Sequence, residues 1–367
     1  MFGTAAIRFR GVLKGATIAL LAATAACEQA TAPLANTPDA NATLADYQAL
    51  EQMFASDGFA GVQALAGRTP MSASATVAAM RALPGLASES SSRQYALDLF
   101  RAAAAQASRT SFAKTVISSR HLGRTLVYNV AKDQYVIDSA RTGAPANGTR
   151  FIVYELNADG KPNVSREIGR ADLIDEGAGT GEAIALRLLV VTRGSTTLDY
   201  RTRVDIGTTA SSIDVSGFAT DGTERLDFTV GLDGRKVATG TVLDADFEFS
   251  VKPRNFTVTG TVRGVQDGRE GEGKVSFTAK HQENTLRVEL NGTAGTVNGA
   301  INWNGKPYIT ITGPAATPTL RGPSGQPLTP DEVRMVQSVM RMSDDVFDLV
   351  EELVEPVEDI VLLGWIL

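Results

Sequence analysis

The chain reads as an α+β protein that is mainly β: a large, curved antiparallel meander, half-barrel or barrel-like, with N-terminal helices and a C-terminal amphipathic helix. Three observations predict this. Apolar and polar residues alternate with a period of two in segment after segment between Arg124 and Thr312. Turn dipeptides separate those segments. Helical periodicity is confined to the two flanks. Because successive side chains on a strand point to opposite faces, such alternation gives each strand one apolar and one polar face.

Residues 1–26 form the first element. Arg8, Arg10 and Lys14 make a basic start, and an apolar stretch from Gly15 to Ala26 follows, with Ile18, Leu20 and Leu21. A membrane-spanning helix needs about 20 apolar residues, so this shorter stretch reads as a signal peptide. Cys27 comes next and is the only cysteine among 367 residues. A lone thiol cannot form an internal disulfide, which leaves an exported chain no structural reason to keep one.

The run Leu21-Ala22-Ala23-Thr24-Ala25-Ala26-Cys27 resembles the lipobox of bacterial lipoproteins, in which small residues precede an acylated cysteine. Thr24 stands where that family normally has Leu. The resemblance covers the N-terminal tenth of the chain. It implies lipid attachment at Cys27, a membrane anchor, and, through Glu28, sorting to the outer membrane. Cleavage nearby that leaves a soluble protein with a free thiol is the alternative.

Residues 27–42, rich in Ala, Thr, Pro and Asn, read as a flexible tether. Residues 43–110 form a helical section. Thr43 to Asp46 resembles a capping box opening a helix to about Ala55. A second helix fits Ser72–Leu83, closed by Pro84, and a third fits Ser92–Ala107 with Leu99, Phe100 and Ala103 on one face.

Residues 111–312 hold the sheet. Leu198, Tyr200, Val204 and Ile206 share one parity, and Asp199, Arg201, Arg203 and Asp205 take the other. The pattern recurs at Leu226, Phe228 and Val230, at Phe247, Phe249 and Val251, and onward to Trp303. Asp159-Gly160, Asp221-Gly222, Asp233-Gly234, Asp267-Gly268, Asn291-Gly292 and Asn304-Gly305 supply the positive φ angles of tight hairpins. Short turns force antiparallel neighbours, and the spacing predicts about 11 to 13 strands.

Residues 313–328, with four prolines and three glycines, read as a loop. Residues 329–367 form an acidic amphipathic helix. Thr329-Pro330-Asp331-Glu332 opens it as cap, first residue and closing acid. Met335, Val339, Met342, Val346, Leu349 and Leu353 then make one apolar seam. Residues 43–367 are expected to be one domain.

Chemistry is sparse. Removing the signal's three cations takes the formal net charge from −6 to −9, and the C-terminal helix carries ten acids against Arg334 and Arg341. No basic stripe remains, which argues against nucleic-acid binding. His121, before the first strand, and His281, at a strand end, read as surface residues. With two histidines and one cysteine, a common zinc site would need added carboxylates. Glu155, Asn157, Asp159 and Gly160 loosely resemble a calcium loop, but Arg166 occupies the bidentate acid's position, so a hairpin turn is the better reading. Asp244 and Asp246 share a strand face, and Asp172, Asp175 and Glu176 fit a loop end. No catalytic, cofactor or metal motif is found, and an enzyme is not expected.

The architecture resembles half-barrel lipoproteins and carriers that hold acyl chains in a concave sheet, a likeness of layout alone. It implies an exported, membrane-anchored, non-enzymatic binder of a hydrophobic small molecule or lipid. Leu198, Tyr200, Leu226, Phe228, Phe247 and Phe249 are the expected ligand lining. A structural or protein-interaction module of the cell envelope with a self-filled core is the alternative.

Overall fold

The computed structural model describes residues 119–177, 183–207, 209–238, 240–267, 270–293, 295–314 and 317–330, with single positions at 117, 332, 333 and 336. The signal, Cys27, the tether, the three N-terminal helices and most of the C-terminal seam lie outside the described residues.

The described chain divides into two compact units that meet in sequence between Gly231 and Leu232. The first holds β1 (Arg124–Asn129), β2 (Gln134–Asp138), β3 (Gly148–Leu156), β4 (Pro162–Asp175), β5 (Ala183–Thr192), β6 (Ser195–Ile206), β7 (Ala210–Thr220) and the start of β8 (Arg225–Val237). The second holds the rest of β8, then β9 (Gly240–Lys252), β10 (Phe256–Asp267), β11 (Glu270–His281), β12 (Asn284–Thr293), β13 (Thr296–Trp303), β14 (Lys306–Pro314) and β15 (Thr319–Arg321).

These strands follow one another in hydrogen-bonded order from β15 down to β3, and the ladder then runs β3-β1-β2. It ends at β15 and β2 and does not close on itself. The sheet is therefore mainly the antiparallel meander the alternation predicts, with one departure: β1 pairs β3 in parallel, Leu126 opposite Phe151. A parallel neighbour requires a long crossover. Here β2 and residues 139–147 supply it, and the Gly123 amide donates to the Gly148 carbonyl at 2.8 Å to close the joint.

Fifteen described strands exceed the expected number, although two of the expected turn dipeptides do not break a strand. Asp233-Gly234 lies inside β8 and Asn291-Gly292 inside β12. Several reversals use residues that carry no strong turn signal: Arg193 and Gln282 take positive φ at 51° and 52°. The β5–β6 turn is Arg193-Gly194, flanked by the pair Thr192 and Ser195. Asn304-Gly305 does form its hairpin, with φ of 49° and 75°. The loop expected over 313–328 contains β15, paired to β14.

The alternation translates directly into burial. On β6, Leu198, Tyr200, Thr202 and Val204 are buried, while Arg201 and Arg203 are exposed. On β8 and β9, Leu226, Phe228, Val230, Phe247 and Phe249 are buried, while Thr229, Asp246 and Glu248 are exposed. At the other end of the first unit, the Tyr135 ring sits edge-on to Phe151, centroids 5.6 Å apart, and its hydroxyl donates to the Ile152 carbonyl at 2.9 Å.

After β15 the chain reaches Thr329, where the expected capping box is formed. The Thr329 amide donates to Glu332 Oε2 at 2.6 Å, and the Glu332 amide donates back to Thr329 Oγ1 at 3.3 Å. Two of the helix's otherwise unpaired amides are satisfied this way.

Candidate functional site

Cross-strand pairing assembles the inner face of the first unit row by row. One row runs Thr149, Leu173, Leu188, Tyr200, Gly217 across β3 to β7. The next runs Asp175, Leu186, Thr202, Val215 across β4 to β7. Directly paired residues share a face, so their side chains form contiguous stripes.

Gly217 lies directly opposite Tyr200 at close approach. A Cβ at that position would lie 2.2 Å from the Asp199 carbonyl oxygen and 2.4 Å from the Tyr200 Cβ. With no side chain on β7 opposite Tyr200, its ring meets that of Phe228 from the far side, centroids 6.1 Å apart. The second unit repeats the device. The ring of Phe247 covers Gly260, its direct partner on β10, and stands 5.7 Å from the ring of Phe249. Of the six expected lining residues, Leu198, Tyr200, Leu226 and Phe228 thus belong to the first unit, and Phe247 and Phe249 to the second. All six are buried.

The first unit's inner face is not wholly apolar. The Tyr200 hydroxyl and the Thr202 Oγ1 are enclosed and have no hydrogen-bond partner among the described residues. They are consecutive inward positions of β6, about 7 Å apart along the strand. Burial pushes the Tyr200 phenol well above its ordinary range. It therefore stays protonated, with a hydroxyl hydrogen to offer and no tendency to serve as a base. Periodicity alone does not single these hydroxyls out, because an inward Tyr or Thr looks like any amphipathic core residue.

The outer face is a lattice of ion pairs. Arg187 grips Asp199 with two bonds of 2.7 and 2.6 Å. Arg201 holds Glu176 at 2.9 Å, and the Arg225 guanidinium lies 3.7 Å above the Phe218 ring centre. Asp175 ends β4, where its Oδ1 accepts from the Gly177 amide at 2.9 Å, as a loop-end acid would; Asp172 does not sit at a loop end but is buried within β4. Asp172 is clasped by Arg150 through bonds of 2.6 and 2.8 Å, with Arg170 at 3.5 Å. Asp244 likewise stands between Arg235 at 3.6 Å and Arg263 at 3.4 Å, while Asp246 is exposed on the same face.

Glu155 binds Arg166 at 2.6 Å, and the Gly160 amide donates to the Asn157 carbonyl at 2.9 Å, so this segment is the β3–β4 hairpin turn. His121 is buried rather than at the surface, and its Nδ1 has no partner among the described residues. Burial, with repulsion from Arg120 added, lowers its pKa below 6.5. His281 ends β11, half-buried, its ring 6.4 Å from that of Phe256. Among the described residues, no group of three or more His, Cys, Asp or Glu could hold a metal ion. No protein-family model, no curated protein and no solved structure matches this chain.

Proposed function

We propose that this is an exported envelope lipoprotein, anchored through Cys27 to the outer membrane, whose curved sheet binds a lipid-like apolar molecule without catalysing a reaction. The observation that carries the reading is the division of labour between the faces. Leu198 and Tyr200 on β6, with Leu226 and Phe228 on β8, place large apolar surface on one side of the sheet on either flank of β7. The other side is committed to ion pairs such as Arg187–Asp199. A sheet that reserves one face in this way suits a ligand that must be kept from water.

Mass spectrometry of lipid extracted from the purified, natively expressed protein tests the binding. A stoichiometric apolar molecule is the expected result. Absence of any such molecule, with no uptake of a hydrophobic dye, overturns it. The anchor is tested separately: Cys27→Ser should abolish partitioning into a detergent phase, and unchanged partitioning refutes lipidation. The second reading, a structural or interaction module with a self-filled core, is favoured by one observation. The Tyr200 and Phe228 rings already pack on each other, and both side chains are closed to solvent.

A further inference from the structure

We propose that the Tyr200 and Thr202 hydroxyls receive the neutral oxygen group of an apolar ligand, an ester in preference to a free carboxylate. The inference rests on the ligand-binding reading above and names the polar part of the ligand. Buried polar atoms in native proteins nearly always have partners, and an enclosed hydroxyl without one is costly. Here two occur at consecutive inward positions of one strand. Neither is served by the described residues, and both lie on the same inward face of β6, each with a donor unused. A hydrocarbon would leave both idle, whereas the carbonyl oxygen of an ester has two lone pairs with which to accept from these hydroxyls.

The surroundings decide the charge. Leu186 and Leu188 flank the pair on β5, Val215 faces Thr202 on β7, and Phe228 packs on Tyr200. No lysine or arginine is among the buried described residues. The ionisable group in the Thr202 row is Asp175, also buried and acidic. A carboxylate would enter with no cation to meet it and an acid two strands away. A neutral ester meets neither obstacle.

Three probes of one chain length separate the possibilities: methyl oleate, oleate and octadecene, titrated into delipidated full-length protein. Methyl oleate should bind about tenfold tighter than the other two. Tyr200→Phe and Thr202→Val should each weaken methyl oleate by about 3- to 10-fold, the worth of one hydrogen bond, and leave octadecene unchanged. Both substitutions keep the side-chain volume and remove an unpartnered hydroxyl, so both variants should melt no lower than wild type. Should one fail to fold, the other suffices. If the variants bind methyl oleate as wild type does while octadecene also binds, the hydroxyls are idle or served by water and this inference falls, the binding reading standing. Preference for oleate overturns the neutral assignment. If wild-type protein binds none of the three, the binding reading falls with it.

Discussion

Gly217 faces Tyr200 across the β6–β7 ladder at a distance that leaves no room for a side chain, and that close approach can be measured. A methyl group at Gly217 would collide with the backbone of β6, at 2.2 Å from the Asp199 oxygen and 2.5 Å from the Tyr200 Cα. Backbone cannot swing aside as a side-chain tip can, so Gly217→Ala should cost about 1–3 kcal/mol and lower the urea midpoint accordingly. A midpoint within error of wild type would mean the strands are looser than described. His121 makes a second residue-scale prediction. Its native pKa lies below the ordinary 6.5, so the unfolded chain binds the proton more readily. Stability contributed by the neutral ring is therefore present above pH 6.5 and lost as pH falls below it. His121→Gln should flatten part of the decline in urea midpoint between pH 7.5 and 5.5. Equal slopes in variant and wild type would count against a buried neutral imidazole. At this scale the sequence was a partial guide. Inward Leu198, Phe228 and Phe249 follow from parity, because alternation is a local property. The burial of Asp172 does not, since Arg150, which makes it tolerable, lies on another strand.

Elements were legible where their signals are chemical and local. Thr329 and Glu332 announce a helix start through side chains that satisfy nearby amides, and those bonds are present. Thr329→Ala should destabilise the protein by about 0.5–2 kcal/mol, read from thermal or urea unfolding. Thr329→Ser should recover most of the loss, because it restores the oxygen. An Ala variant as stable as wild type would show that the helix start contributes nothing to the fold. Turns were legible less often. An Asp-Gly or Asn-Gly pair permits positive φ but does not demand it, and β8 and β12 run through two such pairs as ordinary strand. Conversely, Arg193 and Gln282 bear the strain of positive φ because the strands on either side are already in register. There the ladder dictates the turn.

At the scale of the whole molecule, pairing between strands distant in sequence was the hidden part. Nothing in the composition of β1 marks β3 as its parallel neighbour, because the choice depends on which edge the returning chain reaches first. Everywhere from β3 to β15, by contrast, each strand pairs with the next in the chain. The described edge strands are short, five residues in β2 and three in β15, which is one of the ways natural sheets limit pairing with another chain. Successive pairing of this kind makes the ladder close to one-dimensional, as in repeat proteins. Its length is then a separable property, open to loss or duplication one hairpin at a time. Excising residues 266–291 joins Val265 to Gly292, an even deletion that keeps inward parity: Gly264 takes the place of Leu290 before β13. The shortened chain should still melt cooperatively, with β content reduced by two strands in circular dichroism. A molten or aggregated product would show that β11 and β12 are held by more than their neighbours. If the excision succeeds, this architecture can vary in strand number between descendants of one ancestor while the chemistry around Tyr200 is left untouched.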